Sequence, residues 1–242
     1  MELQEFFSTS SLDHHPPLLS SPSPSSCCHA MLSGPPRSGK SSLLFQFAYN
    51  KVLAEQSAAV IFICRRHSFE YSPPYLAEGI DPASQVWERV HLKYVSDDED
   101  LRNFFAAFHL QRVLPRAVIV DDFSTFFNGW KYLEQSSEPR AREKAMVKTL
   151  ALCHDAINYA NCKSAPATPC KLLISDTHTG NEPQLLYIYR RWLTNIYVIK
   201  ALDSASFILS SYTGRDKEAG GPGAEYTIEQ HLKLTSLHKA SQ

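Results

Sequence analysis

One short stretch of the sequence has the residue types and the spacing of a phosphate-binding loop. Gly34, Gly39, Lys40 and Ser41 lie in the segment GPPRSGKS, which matches the pattern G-x-x-x-x-G-K-[S/T]. In such a loop the glycines let backbone N–H groups surround a phosphate, and the following helix presents its positive dipole end. The lysine reaches the β- and γ-phosphates, and the serine hydroxyl ligates magnesium. The segment therefore predicts a site for ATP and Mg²⁺.

The predicted site residues form one continuous run, with Lys40 also predicted to be catalytic and Ser41 to ligate the metal. The predicted nucleotide-binding residues are Gly34, Pro35, Pro36, Arg37, Ser38, Gly39, Lys40, Ser41 and Ser42. A turn that precedes a helix without binding any ligand is the alternative. The surrounding order of strand, loop and helix favours the nucleotide site.

A second half of such a site is an acid at the end of another strand, which holds magnesium through water. The segment AVIVDD supplies Asp121 after four apolar residues, with Asp122 next to it. We expect Asp121 to be the magnesium-side acid and a catalytic residue. Asp122 could orient a water molecule or cap the following turn.

Hydrolysis also needs a carboxylate that positions the attacking water. The apolar strand that ends at Cys64 is followed by RRHSFE, so no acid lies at its immediate tip. Glu70 could reach the site, but a solvated loop glutamate is the favoured interpretation. Arg65 and Arg66 could contact phosphates, an acidic partner surface or only solvent.

The order of apolar segments predicts the fold class. Short apolar strands alternate with amphipathic helices, which indicates an α/β domain of three layers with a mainly parallel central sheet. The boundaries expected from composition are a flexible Ser/Pro-rich tail at 1–28, a nucleotide-binding core at 29–213, and a C-terminal loop and tail at 214–242.

Composition limits the class of protein. Hydrophobic residues make up 43% of the chain and the formal net charge is −1, which is ordinary for a globular protein and gives no sign of a large nucleic-acid footprint. No apolar run approaches the ~18 residues of a membrane span. The six cysteines show no metal-ligand spacing, which favours reduced thiols and a cytosolic or nuclear protein.

Several segments together resemble the RecA-type recombinase core, in particular its eukaryotic paralogs. The resemblance covers roughly residues 29 to 211 and is closest to the ATPase subunits that partner SWIM-type zinc-finger proteins in Shu complexes. Besides the phosphate loop, the segments that carry it are VIFIC, VHLKYVSDDEDLRNFFAAF, RAVIVDDFSTFF, EPRAREKAMVKTLALCHDAINYA and CKLLISDTH.

The resemblance implies a RecA-like P-loop NTPase core with weak, DNA-stimulated ATPase activity. It implies a nuclear protein, with the cytoplasm as a second location, that forms a heterodimer with a SWIM-type zinc-finger protein. With a recombinase and single-stranded DNA as further partners, it would support recombinase filaments in homologous recombination and DNA repair. By the same resemblance, 126–138 and 176–191 are the DNA loops, and Thr177 or His178 lies near the γ-phosphate. The family's glutamate after Cys64 is missing, which puts fast hydrolysis in doubt.

The two loop regions mix cations with aromatic side chains, a combination that binds single strands through phosphate attraction and base stacking. The residues concerned are Lys131, Arg140, Arg142, Lys144, Arg190, Arg191, Trp130, Tyr132, Tyr187 and Trp192. Core aromatics beside solvated charges are the alternative. Two other functions also stay open: a P-loop small-molecule kinase, and a nucleotide-binding scaffold without turnover.

Overall fold

Nine strands form a single sheet in the order β3-β2-β4-β5-β1-β6-β7-β8-β9. The computed structural model describes residues 2–8, 29–129, 140–163, 169–180, 185–212 and 222–238. The strands are β1 (His29–Gly34), β2 (Val60–Cys64), β3 (Val90–Tyr94), β4 (Ala117–Val120), β5 (Lys171–Thr177), β6 (Asn195–Ala201), β7 (Ser206–Ser211), β8 (Gly223–Ile228) and β9 (Leu232–His238).

The first six strands pair in parallel, and the last three continue the sheet antiparallel. The α-helices in the described ranges are α1 (Lys40–Ala54), α2 (Arg66–Tyr71), α3 (Asp98–Ala106), α4 (Ala141–Lys163) and α5 (Leu186–Tyr189). The prediction of an α/β fold with a mainly parallel central sheet is confirmed.

The sheet is covered on both faces, which explains why its central strands are apolar without alternation. In β2 all five residues are buried. Ile61 and Ile63 face the core packed under α3 and α4, whereas Val60, Phe62 and Cys64 face the core packed under α1. Two cores on opposite faces of one sheet give three layers.

The C-terminal boundary expected at residue 213 is wrong. Residues 223–228 and 232–238 form β8 and β9, which extend the same sheet. Ala224 and Tyr226 point into the core of the α1 face, as do Leu232 and Leu234, and polar residues alternate with them. This period-two pattern identifies half-buried strands, although it follows a glycine-rich segment. Residues 213–221 lie outside the described residues.

The expected loose tail at 1–28 is also wrong for its first part. Leu3–Phe6 form a 3₁₀ helix, and Phe6 and Phe7 are buried against the α1 face. Glu5 is bound by Lys51 and Lys171, each at 2.9 Å. Burial alone would raise the pKa of Glu5, but these two ammonium groups outweigh burial and lower it. Residues 9–28 lie outside the described residues.

Candidate functional site

The phosphate-loop segment joins β1 to α1 at the carboxyl edge of the sheet. Arg37 and Gly39 have left-handed backbone conformations, with φ of 60° and 71°. Alternation of right- and left-handed residues turns successive N–H groups to one side and makes an anion-binding nest. No side chain caps the N-terminus of α1, and its first turn carries no acid. The first-turn N–H groups are therefore available to an anion.

Two of the predicted residues, Pro35 and Pro36, have no N–H and leave the donors to begin at Arg37. Ser42 is buried, and its Oγ accepts a hydrogen bond from the N–H of Tyr75 at 2.9 Å, which leaves its hydroxyl hydrogen as a donor. The loop therefore contributes mainly backbone groups, with Lys40 and Ser41 as the side chains that could act on a phosphate or its metal.

Both glycines of the motif are required by close contacts. A Cβ at Gly34 would lie 2.7 Å from Ser38 Oγ and 2.9 Å from Ile199 Cβ on β6. A Cβ at Gly39 would lie 1.7 Å from Ile228 Cδ1 on β8, and the positive φ disfavours a side chain there in any case. The loop is thus packed against the sheet on the side away from its N–H groups.

Lys40 lies over the loop and is 7% exposed. Its Nζ donates to the carbonyl oxygen of Pro35 at 2.8 Å and to that of Gly34 at 3.2 Å. Burial lowers the pKa of Lys40, while Asp122, Asp121 and Asp176 oppose the shift. A buried ammonium with only carbonyl acceptors is well suited to receive a phosphate oxygen.

Ser41 and Asp121 meet directly, although 80 positions separate them. Ser41 Oγ donates to Asp121 Oδ2 at 2.6 Å. The other carboxylate oxygen, Oδ1, accepts a hydrogen bond from Ser175 Oγ, also at 2.6 Å. Burial raises the pKa of Asp121, and the two serine hydroxyls and Lys40 counter part of that shift. The two residues predicted to hold magnesium are therefore in contact.

Asp122 is held in place by side chains of β5, the strand that lies between β4 and β1 in the sheet. Its backbone is left-handed, with φ of 56°, a conformation that is uncommon for residues with a side chain but several-fold enriched in asparagine and aspartate. Thr177 Oγ1 donates to Asp122 Oδ1 at 2.6 Å, and the Asp122 N–H donates to Ser175 Oγ at 2.8 Å. The Asp122 carbonyl also accepts from the N–H and hydroxyl of Thr125. As the N-cap residue of the 3₁₀ helix Phe123–Phe127, Asp122 makes no side-chain capping hydrogen bond, so of the two predicted roles that of orienting a water molecule stays open.

Asp176, the residue after Ser175 on β5, is a buried acid that was not predicted from the sequence as a site residue. Asp176 Oδ2 accepts a hydrogen bond from the buried Tyr189 hydroxyl at 2.6 Å, and its Oδ1 accepts from the Thr177 N–H at 3.0 Å. Burial raises the pKa of Asp176, with the bonds from Ser124 and Tyr189 acting in the opposite direction. This contact connects the end of β5 to α5.

His178 lies beside the phosphate loop, as one of the two candidates for the γ-phosphate position. Its N–H donates to the Gly34 carbonyl at 3.1 Å, and its Nδ1 lies 2.7 Å from Ser33 Oγ. Burial and the charge of Lys40 lower the pKa of His178. The imidazole is therefore neutral at physiological pH and can share a hydrogen bond with an anion. The hydroxyl of the other candidate, Thr177, already donates to Asp122 Oδ1.

The donor set fits magnesium carried by a nucleotide better than magnesium bound alone. Among the described residues, no group of three or more His, Cys, Asp or Glu side chains is arranged to hold a metal ion. Magnesium at nucleotide sites keeps several waters and takes one or two carboxylates plus phosphate oxygens. Ser41 and Asp121 supply that smaller set.

Glu70 is not part of this arrangement of acids and hydroxyls. It lies on the short helix α2, which the sequence did not predict, and forms an exposed ion pair with Arg66 at 3.8 Å. Arg66 also stacks over Tyr94, with 4.7 Å to the ring centroid. Arg65 donates to the Thr125 carbonyl oxygen at 2.7 Å and is half-buried. The glutamate is a surface residue of a helix, not of a loop.

The candidate DNA-contacting residues separate into three groups. Trp130, Lys131 and Tyr132 lie outside the described residues. Arg142 and Trp192 are half-buried: Arg142 donates to the Ser124 carbonyl at 3.3 Å, and Trp192 packs on His154. The remaining members have exposed side chains, namely Arg140, Lys144, Tyr187, Arg190 and Arg191.

Three functional candidates depend on strand order and were missed from the sequence: Ser175, Asp176 and Tyr226. Tyr226 on β8 donates to the Ser38 carbonyl oxygen at 2.7 Å. The signal for Ser175 and Asp176 was available as polar residues at the end of an apolar strand. No local sequence signal connects Tyr226 with the loop.

No protein-family model matches the chain, and no curated protein matches it significantly. Within the part of the chain that the structure describes, no helix is long and apolar enough to cross a membrane.

Proposed function

We propose that the protein binds ATP with Mg²⁺ and acts as a RecA-like subunit of a complex that supports recombinase filaments on single-stranded DNA. In this proposal it works in the nucleus during homologous recombination and DNA repair, as the heterodimeric partner of a SWIM-type zinc-finger protein. The observation that carries the nucleotide part is the 2.6 Å contact of Ser41 Oγ with Asp121 Oδ2 beside the uncapped start of α1.

Each element of this site has a role in triphosphate binding. The N–H groups after Pro36 and the dipole of α1 attract the phosphates. Lys40 exchanges its carbonyl acceptors for β- and γ-phosphate oxygens, and Ser41 and Asp121 hold the metal directly or through water. Bound magnesium would neutralise phosphate charge. His178 offers a neutral hydrogen-bonding group on the side of the loop that borders β5.

The DNA part of the proposal rests on resemblance and on exposed side chains around α5. Tyr187, Arg190 and Arg191 lie on or next to α5, which Tyr189 connects to Asp176 at the end of β5. An exposed aromatic ring with neighbouring guanidinium groups can stack on a base and attract phosphates. The same connection could pass the state of the nucleotide site to that surface.

ATP turnover measured with and without an oligo(dT) single strand tests this proposal. We expect the strand to stimulate turnover, and we expect the double variant Arg190→Ala/Arg191→Ala to lose most of that stimulation while it retains nucleotide binding. Arg112→Ala is the matched control, because Arg112 is an exposed arginine in the segment before β4 and lies outside the two loop regions. Absence of ATP binding by the wild-type protein would overturn the proposal.

A nucleotide-binding scaffold without turnover is the second candidate. The observation that favours it is the position of Glu70, whose side chain is 58% exposed and paired with Arg66. Tight ATP binding with no phosphate release, in the presence and absence of single strands, would support the scaffold. Recovery of a SWIM-type zinc-finger protein with the tagged wild-type chain would then identify the complex to which it belongs.

A further inference from the structure

The phosphate loop has a second support that comes from the far end of the chain. Tyr226, on β8, donates its hydroxyl hydrogen to the carbonyl oxygen of Ser38 at 2.7 Å. Ser38 is itself fully buried, and its Oγ donates to the Pro35 carbonyl at 2.8 Å. The Tyr226 bond therefore fixes the peptide that precedes Gly39, in the middle of the predicted phosphate-binding turn.

The tyrosine ring has little freedom to move. Its side chain is fully buried, stacked on Phe207 at 5.6 Å and in contact with Phe7 at 5.8 Å between ring centroids. Burial raises the pKa of Tyr226 well above its ordinary value, so the hydroxyl stays protonated and remains a donor. A donor held this rigidly fixes the position of its acceptor.

Ile228, two residues further along β8, supports the next residue of the loop. Its Cδ1 occupies the space in which a Cβ of Gly39 would lie, 1.7 Å from that ideal position. β8 is held in register by its pairing with β7, and the Ile228 N–H donates to the Ala205 carbonyl at 3.0 Å. Two consecutive core-facing residues of one strand thus contact two consecutive residues of the loop.

We propose that Tyr226 and Ile228 are positioning residues that hold the loop in its phosphate-binding conformation before the nucleotide arrives. This inference rests on the proposed nucleotide site. Preorganisation lowers the ordering cost of binding, so loss of either contact weakens affinity without removing any group that touches the nucleotide. The carboxyl-terminal strands are then part of the nucleotide site and not an appended tail.

The first test compares Tyr226→Phe with wild type for affinity toward a fluorescent ATP analogue with Mg²⁺. The variant keeps the ring and its packing but leaves the Ser38 carbonyl unsatisfied, so we expect about tenfold weaker binding. Tyr197→Phe is the matched control, because Tyr197 is a buried tyrosine of the same core that packs on Phe6. We expect its affinity to match that of wild type.

Ile228→Val gives a milder second variant, because it removes only the Cδ1 methyl that fills the space beside Gly39. We expect about two- to threefold weaker binding, with a small loss of thermal stability. Affinity equal to wild type in both Tyr226→Phe and Ile228→Val would overturn the positioning role, provided that the wild-type protein binds.

Hydrogen exchange of the loop amides, measured without nucleotide, separates this inference from the proposed function. We expect faster exchange at the Ser38 and Leu43 amides, which donate to the Pro35 and Gly39 carbonyls, in Tyr226→Phe but not in Tyr197→Phe, even when the two variants have the same melting temperature. If the wild-type protein does not bind ATP but this exchange difference is present, the proposed function fails while the positioning of the loop stands. Unchanged exchange in Tyr226→Phe overturns the inference.

Discussion

The carboxyl ends of β2 and β4 are neighbours in the sheet, but the acids that follow these strands have different surroundings. Asp121, directly after β4, is bound at both carboxylate oxygens by Ser41 and Ser175, each at 2.6 Å. Glu70, after β2, projects from a six-residue helix into solvent with Arg66 at 3.8 Å. Exposed ion pairs of this kind contribute little and fix no direction. The fold therefore fixes the direction of the Asp121 side chain and leaves that of Glu70 free.

The largest effect on ATP binding is expected for Lys40, which, like Asp121, is buried and held by hydrogen bonds. Lys40→Ala removes the buried ammonium group beside the loop carbonyls, so we expect about 100-fold weaker ATP binding. Titration of the fluorescent ATP analogue measures it. Lys93→Ala is the control, since Lys93 is an exposed lysine on the edge strand β3. Unchanged affinity in Lys40→Ala would remove this lysine from the site.

A smaller effect is expected when the acid itself is neutralised. Asp121→Asn keeps the shape and can still hydrogen-bond Ser41 and Ser175, but it attracts a metal-bound water more weakly. We expect the Mg²⁺-dependent part of ATP affinity to fall about tenfold. The measurement compares ATP titrations in Mg²⁺ with titrations in EDTA. Equal Mg²⁺ dependence in variant and wild type would contradict the assignment.

The same variant predicts a pH dependence of stability. Because burial raises the pKa of Asp121, its ionised form destabilises the folded protein at neutral pH. As the pH falls, the folded protein takes up this proton before the unfolded chain does, and the cost disappears. Without nucleotide, Asp121→Asn should therefore gain melting temperature over wild type at pH 7. We expect that gain to shrink as the pH approaches 3.8, the ordinary value for an aspartate.

The sequence was sufficient to predict the central strands of the sheet. These strands are buried on both faces, so each of them is an uninterrupted run of apolar residues in the sequence. β2 and β4 were recognised in this way, Asp121 followed from its position at the end of β4, and Lys40 and Ser41 followed from the phosphate-loop motif. β8 was missed because it is half-buried, and half-buried strands show only weak alternation after a glycine-rich segment. The docking of 2–8 was missed because Phe6 and Phe7 are too short an apolar signal beside 20 Ser/Pro-rich residues.

The supporting contacts of the site could not be predicted, since they depend on which strands become neighbours. Ser175 reaches Asp121 because β5 pairs with both β1 and β4. Tyr226 reaches Ser38 although β6 and β7 lie between β8 and β1 in the sheet. Strand order is set by the packing of the whole sheet, and no local spacing encodes it. The acid at the end of β4 is a local feature and was predicted, whereas the same local signal at the end of β5 was available but was not used.

A variant of Asp122 extends the comparison of the acids after β4 and β2, because Asp122 is a second acid beside the site whose side chain has a fixed orientation. Thr177 Oγ1 binds one carboxylate oxygen at 2.6 Å, and the left-handed backbone fixes the direction of the side chain. If Asp122 orients the attacking water, Asp122→Asn should lower turnover about fivefold while ATP affinity stays within about twofold of wild type. Turnover is measured by phosphate release, and Asp155→Asn, on α4, is the control. Equal turnover in wild type and Asp122→Asn would mean that Asp122 does not orient the attacking water.

The smallest effect is expected at Glu70, and it would break the comparison if it proved large. Glu70→Gln removes a charge whose partner, Arg66, is 68% exposed, so we expect less than about a twofold change in turnover and no measurable loss of stability. Phosphate release from the wild-type and variant proteins measures it, with and without a single strand. A collapse of turnover in Glu70→Gln would mean that α2 moves when nucleotide binds and carries this acid to the site. Glu70 would then belong to the site as Asp121 does, but a movement of α2 would bring it there, whereas fixed contacts hold Asp121.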